Sequence, residues 1–321
     1  MFINYRIVVD ILLDFVSFKK IEGFRGGIMK IYICIYSGLC SGAKLAVDTA
    51  YENLGENLYM YGEVLHNPVI ISQLKKQGAK IINSINEVKF LENKNDIIVL
   101  IRAHGVTKSI IDELEENNIK YIDRTCKEVK KIHDIVYEMS QKKFQIIIIG
   151  NKTHPETIGT AGWVIGKPII LEDINEAKQI IPNLDNLNQY CVVVQTTYNL
   201  KRYKEIIDLC KRYLKKLQYF NTICMDTENR QKEIAELSKH ADVVIVIGGK
   251  NSSNTNKLYK IALKNCKQVQ FVEDYKELDF SNINSNDFVV VTGGASTPDS
   301  VIDNVVKCLH DFDLDMKSVL I

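Results

Sequence analysis

Runs of consecutive apolar and β-branched residues constrain the fold of this chain more than any other feature. They alternate with helical patterns and open the segments 97–105, 145–156, 190–197, 242–254 and 287–297. Strands that are apolar at every position are covered on both faces, as in parallel sheets flanked by helices. The chain is therefore predicted to be an α/β protein with mainly parallel sheets.

Polar loops follow these predicted strands. In open α/β sheets, ligands bind outside the carboxyl ends of the strands, so these loops are the expected place of a functional site. The residues at the strand ends are His66, His104, His154, Thr196, Ser252 and Ser296.

Three cysteines stand in matching positions, each after a short strand and at the start of a helix. Cys40, Cys126 and Cys224 are 86 and 98 residues apart, and each is followed by two of the polar loops, after 26 to 28 and after 64 to 72 residues. A unit used three times at this spacing predicts three small α/β domains in a pseudo-threefold trefoil. Each domain would bring one thiol and two loops to a shared centre.

The repeat also predicts the domain boundaries. We interpret residues 1–28 as an extension outside the fold, with Met29 as the candidate natural start. The predicted parts are 29–41 together with 224–313, which carries Cys224 and the diphosphate loops, then 42–125 with Cys40 at its start, then 126–223, which carries Cys126, and a tail at 314–321.

Composition narrows the class of protein. Lys+Arg 41 against Asp+Glu 40 leaves a net charge of +1, so no overall field attracts nucleic acid or an acidic membrane. Eight cysteines without a Cys-X-X-Cys pair argue against a zinc ribbon and a secreted disulfide scaffold, and they favour the cytoplasm. The most apolar early stretch, 7–18, is too short for a membrane helix. We expect a monomer.

Three thiols at one centre suggest a metal site. A helix N-terminus is expected to lower the pKa of a thiol and so favour the thiolate that binds metals. Three cysteine ligands suit an iron–sulfur cluster that keeps one iron open to substrate. Zinc held by three cysteines and a nearby histidine is the alternative.

The polar loops are suited to an anion and to proton transfer. The loops 251–254 and 292–299 combine hydroxyls with backbone N–H groups at helix starts, which predicts a phosphate or diphosphate site. Ordinary helix capping is the simpler interpretation of their Ser and Thr residues. Glu156 lies two residues after His154, a pair suited to proton delivery, although a surface turn opened by Pro155 would also explain it. Thr196 is placed to orient a substrate hydroxyl.

Nine short motifs, in order from Met29 onwards, carry a resemblance to a known family. They are GLCSG, EVLHNP, RAHGV, DRTC, HPETIGT, QTT, TICMDTENRQ, GKNSSN and TGGASTPD. The chain resembles the 4-hydroxy-3-methylbut-2-enyl diphosphate reductase (LytB/IspH) family. The resemblance implies a trefoil around a [4Fe-4S] cluster held by Cys40, Cys126 and Cys224. It also implies an exposed fourth iron that is easily lost in air, leaving [3Fe-4S] or no cluster.

The chemistry of the family is implied residue by residue. The substrate hydroxyl would bind the open iron, Glu156 would supply a proton, and His154 and Thr196 would order the hydroxyl end. Two electrons from ferredoxin or flavodoxin would then remove the hydroxyl as water, giving isopentenyl and dimethylallyl diphosphate in the last step of the non-mevalonate pathway. The diphosphate would lie among His66, His104, His154, Thr196, Ser252, Ser253, Asn254 and Ser296.

Some residues depart from the family pattern and keep alternatives open. Lys127 and Glu128 follow Cys126 where proline and an apolar residue are usual, Leu39 precedes Cys40 where phenylalanine is common, and Asp226 is unusual near Cys224. The alternatives are a cluster-dependent dehydratase, and an iron–sulfur redox sensor or catalytically altered paralogue that binds a phosphorylated ligand.

Overall fold

The computed structural model describes residues 29–55, 57–65 and 67–318. Within them the strands are β1 (Lys30–Ile33), β2 (Leu58–Tyr61), β3 (Lys80–Ile82), β4 (Ile98–Ile101), β5 (Lys120–Asp123), β6 (Gln145–Ile149), β7 (Ile169–Leu171), β8 (Gln189–Val194), β9 (Lys216–Tyr219), β10 (Val243–Ile247), β11 (Gln268–Val272) and β12 (Phe288–Gly293). The α-helices are α1 (Ser41–Glu52), α2 (Pro68–Lys76), α3 (Lys108–Glu116), α4 (Lys127–Gln141), α5 (Pro155–Ala161), α6 (Ile174–Ile180), α7 (Leu200–Tyr213), α8 (Met225–Leu237), α9 (Ser253–Ala262) and α10 (Asp299–Ser318). Short 3₁₀ turns cover Ile85–Glu87, Ile181–Asn183 and Tyr275–Glu277.

The strands form three parallel four-stranded sheets, which confirms the predicted fold class. The orders are β3-β2-β4-β5, β7-β6-β8-β9 and β1-β12-β10-β11. Read from the other edge, the third order has the same pattern as the first two, with β1 as its fourth strand. The three sheets therefore share one topology, as the threefold use of one unit predicts.

The sheet that contains β1 joins the two ends of the described chain. Lys30 pairs with Phe288 and Ile33 with Val291 in a parallel register. The strands of each sheet fall within one of the three predicted domain stretches, and the boundaries themselves stay a prediction. Helix α10 continues past residue 314, where a tail was predicted. The predicted extension, 1–28, lies outside the described residues.

Burial on both faces explains the uninterrupted apolar strands. In the β1 sheet, Val243, Ile245 and Ile247 pack on one face, while Val244 and Val246 pack on the other. All five side chains are inaccessible to solvent. Consecutive apolar residues are required because helices cover both sides of the sheet.

The shared topology brings equivalent loops to the same place. In each sheet two neighbouring strands, β2 and β4, β6 and β8, or β10 and β12, have connections that leave in opposite directions. A crevice forms at such a point, at the carboxyl ends of the strands. The predicted polar loops follow these strands, and each predicted cysteine follows the fourth strand of its sheet.

No helix in the described part of the chain is both long enough and apolar enough to cross a membrane.

The buried strand faces predict where the fold is sensitive to truncation. Ile147 on β6 is inaccessible to solvent, whereas Ile165 is 57% exposed. We expect Ile147→Ala to lower the free energy of unfolding by about 2 to 5 kcal/mol, since it leaves a cavity between sheet and helix. Ile165→Ala is the control and should change it by less than about 0.5 kcal/mol. Urea denaturation measures both, and equal losses would contradict this account of the core.

Candidate active site

One cavity lies where the three sheets meet. It encloses about 750 Å³ of empty space, part of it open to solvent. Residues from all three sheets line it, and eleven of them were predicted from the sequence: Cys40, His104, Cys126, His154, Glu156, Thr196, Cys224, Ser252, Ser253, Asn254 and Ser296. The twelfth predicted residue, His66, lies outside the described residues.

Each cysteine of the cavity occupies the N-cap position of a helix. Cys40 precedes α1, Cys126 precedes α4 and Cys224 precedes α8. The Cys40 Sγ accepts a hydrogen bond from the Ala43 backbone N–H at 3.4 Å. A sulfur at such a position faces unpaired backbone N–H groups, which stabilise a thiolate or a bound anionic group.

Equivalent backbone hydrogen bonds hold the three cysteines in place. The N–H of Cys40 donates to the Ala295 carbonyl at 3.1 Å, and the N–H of Cys126 donates to the Ala103 carbonyl at 3.0 Å. The N–H of Cys224 donates to the Thr196 carbonyl at 2.9 Å. In each case the acceptor belongs to the loop after the third strand of the same sheet, so every thiol is tied to one of the polar loops.

The thiols differ from the sequence-based expectation in their acidity. Burial raises the pKa of Cys40 and of Cys126, and it outweighs the backbone N–H groups that lower it. The predicted net lowering of these two pKa values is therefore wrong, although the N–H groups at the helix starts act in the predicted direction. The charge of the Cys224 thiol also raises the pKa of Cys40, and the charges of Cys40 and Cys224 raise the pKa of Cys126. The three thiols therefore lie close together.

The thiol arrangement fits a group larger than one ion. Across residues 29–55, 57–65 and 67–318, no three His, Cys, Asp or Glu side chains are grouped closely enough to hold a single metal ion. Yet the three thiols border one cavity, and a Cβ at Gly42 would lie only 2.9 Å from the Cys126 Sγ. Gly42 thus leaves room for the Cys126 thiol, and the shared cavity with no grouping for a single ion favours a polynuclear cluster over the zinc alternative.

A carboxyl group withdrawn from solvent stands at the same cavity. Glu156, on the first turn of α5, is 2% exposed. One of its oxygens accepts the backbone N–H of Thr196 at 2.6 Å, and the other accepts the Thr196 hydroxyl at 2.7 Å. Burial raises the pKa of Glu156, although these hydrogen bonds and the charge of Lys257 oppose the rise. Such a carboxyl can hold a proton closer to neutral pH than an exposed one.

Two histidines accompany this carboxyl. The Nδ1 of His154 caps α5 by accepting the Glu156 backbone N–H at 3.2 Å. The rings of His154 and His104 meet edge to face, with their centroids 5.3 Å apart. The alternative of an ordinary surface turn at Pro155 is not supported, since His154 and Glu156 on either side of it line the cavity.

The loops before α9 and α10 provide hydroxyls and an amide. The Ser252 Oγ caps α9 by accepting the Thr255 backbone N–H at 3.3 Å, and it lies 3.5 Å from the Ser296 Oγ. Asn254 is 4% exposed, and neither atom of its side-chain amide has a hydrogen-bond partner. A buried amide without a partner costs stability, so it indicates that a ligand completes its hydrogen bonds.

Sequence reasoning missed Lys257, a residue of α9 next to this site. Its ammonium donates to the Thr197 carbonyl and, at 2.8 Å, to the Ser253 Oγ. The only sequence signal is its spacing: it follows Ser253 by four residues and so lies on the same face of the helix.

The unusual acidic residues of the chain are paired. Asp226 accepts from the Nε of Arg230 at 2.6 Å, and the Nη1 of Arg230 also donates to the Gly293 carbonyl at 3.0 Å. Glu128 lines the cavity and forms an ion pair with Lys131 at 3.0 Å, whereas Lys127 is exposed. The two carboxylates therefore bring less uncompensated charge to the centre than the sequence suggests.

The chain is similar to reductases of one kind along most of its length. A relative from Thermoanaerobacter sp. (strain X514) is 43% identical over 283 residues, which cover 87% of this chain and 96% of the relative. One from Clostridioides difficile (strain 630) is 35% identical over 286 residues, 88% of this chain and all of the relative. Both are named 4-hydroxy-3-methylbut-2-enyl diphosphate reductase.

Solved structures agree with the sequences. The E-1-hydroxy-2-methyl-but-2-enyl-4-diphosphate reductase of Plasmodium falciparum superimposes with a TM-score of 0.80 at 26% identity, over 88% of each chain. A second structure, described as (E)-4-hydroxy-3-methyl-but-2-enyl diphosphate reductase, the terminal enzyme of the non-mevalonate pathway, gives 0.63 at 31% identity over 88% of this chain and all of the other. The family model described as LytB protein matches residues 31–310. This match shows that the chain belongs to the LytB family.

Proposed function

We propose that this chain reduces 4-hydroxy-3-methylbut-2-enyl diphosphate to isopentenyl and dimethylallyl diphosphate, the last step of the non-mevalonate isoprenoid pathway. One observation carries the proposal: three thiols, a buried carboxyl with a raised pKa and an amide without a partner line the same cavity. The names of its relatives support the proposed substrate and the proposed reaction.

The cofactor that we propose is a [4Fe-4S] cluster held by Cys40, Cys126 and Cys224. Three thiols that border one cavity, with no grouping for a single metal ion among the described residues, support a cluster. When bound, a cluster with three cysteine ligands supplies electrons and an iron that can accept the substrate hydroxyl. Loss of that iron would leave [3Fe-4S], as the family resemblance implies.

Glu156 is the proposed proton donor. The overall reaction takes up two electrons and two protons, breaks the carbon–oxygen bond of the allylic alcohol, forms a carbon–hydrogen bond and releases water. Burial raises the pKa of Glu156, which favours the protonated form that a proton donor needs. The Thr196 hydroxyl fixes the orientation of that carboxyl, and His154 fixes the first turn of its helix.

The diphosphate end of the substrate is expected at the loops before α9 and α10. Ser252, Ser253, Asn254 and Ser296 offer hydroxyl and amide groups there, and His104 and His154 lie across the cavity. His66 stays a predicted contact. We expect ferredoxin or flavodoxin as the electron donor, a monomer, and a cytoplasmic enzyme.

Turnover of the wild-type protein tests the function directly. The chain, reconstituted under anaerobic conditions, is incubated with 4-hydroxy-3-methylbut-2-enyl diphosphate and a low-potential reductant. Both five-carbon diphosphates should form in amounts that scale with iron content. A protein with a full cluster and no product would contradict the proposal and favour a sensor or an altered paralogue.

Glu156→Gln separates catalysis from binding. The amide keeps the shape of the carboxyl but cannot donate a proton from oxygen, so we expect turnover to fall by about 10²- to 10⁴-fold. The affinity for isopentenyl diphosphate should change little, since the diphosphate contacts are unaltered. Calorimetry and a turnover assay check the two quantities.

Glu236→Gln, at an exposed position of α8, is the matched control and should keep full turnover. A Glu156→Gln enzyme as active as this control would remove Glu156 from the mechanism.

Gly42→Ala tests whether the thiols hold the cluster. The new Cβ would lie 2.9 Å from the Cys126 Sγ and 3.1 Å from the Cys126 Cβ, so the thiol must move. We expect iron per chain to fall by roughly half or more after identical reconstitution. Ser41→Ala, at the exposed neighbouring position, is the control. Unchanged iron and an unchanged electron paramagnetic resonance spectrum would show that Cys126 does not depend on this space.

A further inference from the structure

The cavity has an unusual charge for a diphosphate site. Among its described lining residues there is no lysine or arginine, and Lys131 and Arg230 beside it are paired with the lining residues Glu128 and Asp226. A diphosphate brings at least two negative charges into this space. Burying such an anion is costly unless a positive charge lies close by.

Lys257 is the cation next to the anion loop. Its ammonium donates to the Oγ of Ser253, which lines the cavity, and to the carbonyl of Thr197, the residue after Thr196. It also lies 5.5 Å from the centre of the Tyr198 ring. One side chain thus links the start of α9 with the loop that holds Glu156.

We propose that Lys257 is a positioning residue that supplies the positive charge of the diphosphate site, acting through the Ser253 hydroxyl from outside the cavity. This inference rests on the proposed function and deepens it. The ammonium stabilises the bound anion and orients the Ser253 hydroxyl towards it. It also ties Ser253 to the Thr196–Thr197 loop, so that the diphosphate and the proton donor keep one relative position.

The charges around Lys257 predict how binding depends on pH. Burial lowers the pKa of Lys257 to about 8, opposed by Glu156 on α5 and assisted by Lys260 on α9 and Arg202 on α7. A bound diphosphate favours the charged ammonium and raises this pKa again. The contribution of Lys257 to the affinity should therefore be constant well below pH 8 and fall above it, by about tenfold between pH 7 and pH 9.

Calorimetric titration with isopentenyl diphosphate tests the proposal on the reconstituted, anaerobic protein. Lys257→Gln keeps a hydrogen-bond donor and removes the charge, so at pH 7 we expect about tenfold weaker binding or more. Lys257→Arg keeps its charge at every pH tested, so its affinity should not show the fall above pH 8. Lys260→Gln removes a charge from an exposed position of the same helix and should weaken binding less than about twofold.

The ligand ionises in the same way with both proteins, so comparing the pH dependence of affinity of Lys257→Arg with that of wild type isolates the effect of residue 257. This comparison tests the inference even if Lys257→Gln does not fold. Equal pH dependence in these two proteins, or equal affinity of Lys257→Gln and Lys260→Gln at pH 7, would overturn the inference. Such results with a wild type that forms product would leave the proposed function intact. A fully loaded wild type without product would instead refute the function.

Discussion

The centre of the molecule depends on three equivalent hydrogen bonds, from the backbone N–H groups of Cys40, Cys126 and Cys224 to the loops that follow the third strands of their sheets. Each bond joins the end of a fourth strand to the end of a third strand, where the sheet opens. A thiol and a polar loop therefore lie next to each other in each sheet. Because the three sheets share one strand order, the three pairs of thiol and loop line one cavity.

Desolvation determines the chemistry at this centre. Removal from water raises the pKa of Cys40, Cys126 and Glu156, and it lowers the pKa of Lys257. Every one of these shifts favours the neutral form of the group. A bound cationic centre would favour the thiolates, and a bound anion would favour the ammonium. The protein is thus arranged so that cofactor and substrate restore the charges that folding disfavours.

The sequence predicted much of the fold and of the site because both depend on local patterns. Uninterrupted Val and Ile runs require cover on both faces, and β10 and β12 have it. Strand ends are recognisable from where the apolar run stops, so the loops that carry His104, Thr196 and Ser252 could be found. The acidity of the thiols could not be predicted in this way. A helix N-terminus is a local feature, whereas the burial of a thiol depends on all three sheets. For this reason the expected lowering of the pKa values of Cys40 and Cys126 was wrong.

By itself the sequence determined the parallel sheets, the threefold repeat and the residues that end each strand, since these follow from apolar periodicity and from turn-forming residue types. Only the tertiary structure decided that β1 pairs with β12 at the edge of the third sheet, that Arg230 pairs with Asp226, and that Lys257 contacts the Thr196–Thr197 loop, which holds Glu156. The strand pairing and the lysine contact join residues far apart in the chain. The Arg230–Asp226 pair is local in sequence, but Arg230 is buried and also donates to the Gly293 carbonyl at the end of β12, far away in the chain. Contacts of this kind depend on how the three sheets close around one cavity, which no local pattern encodes.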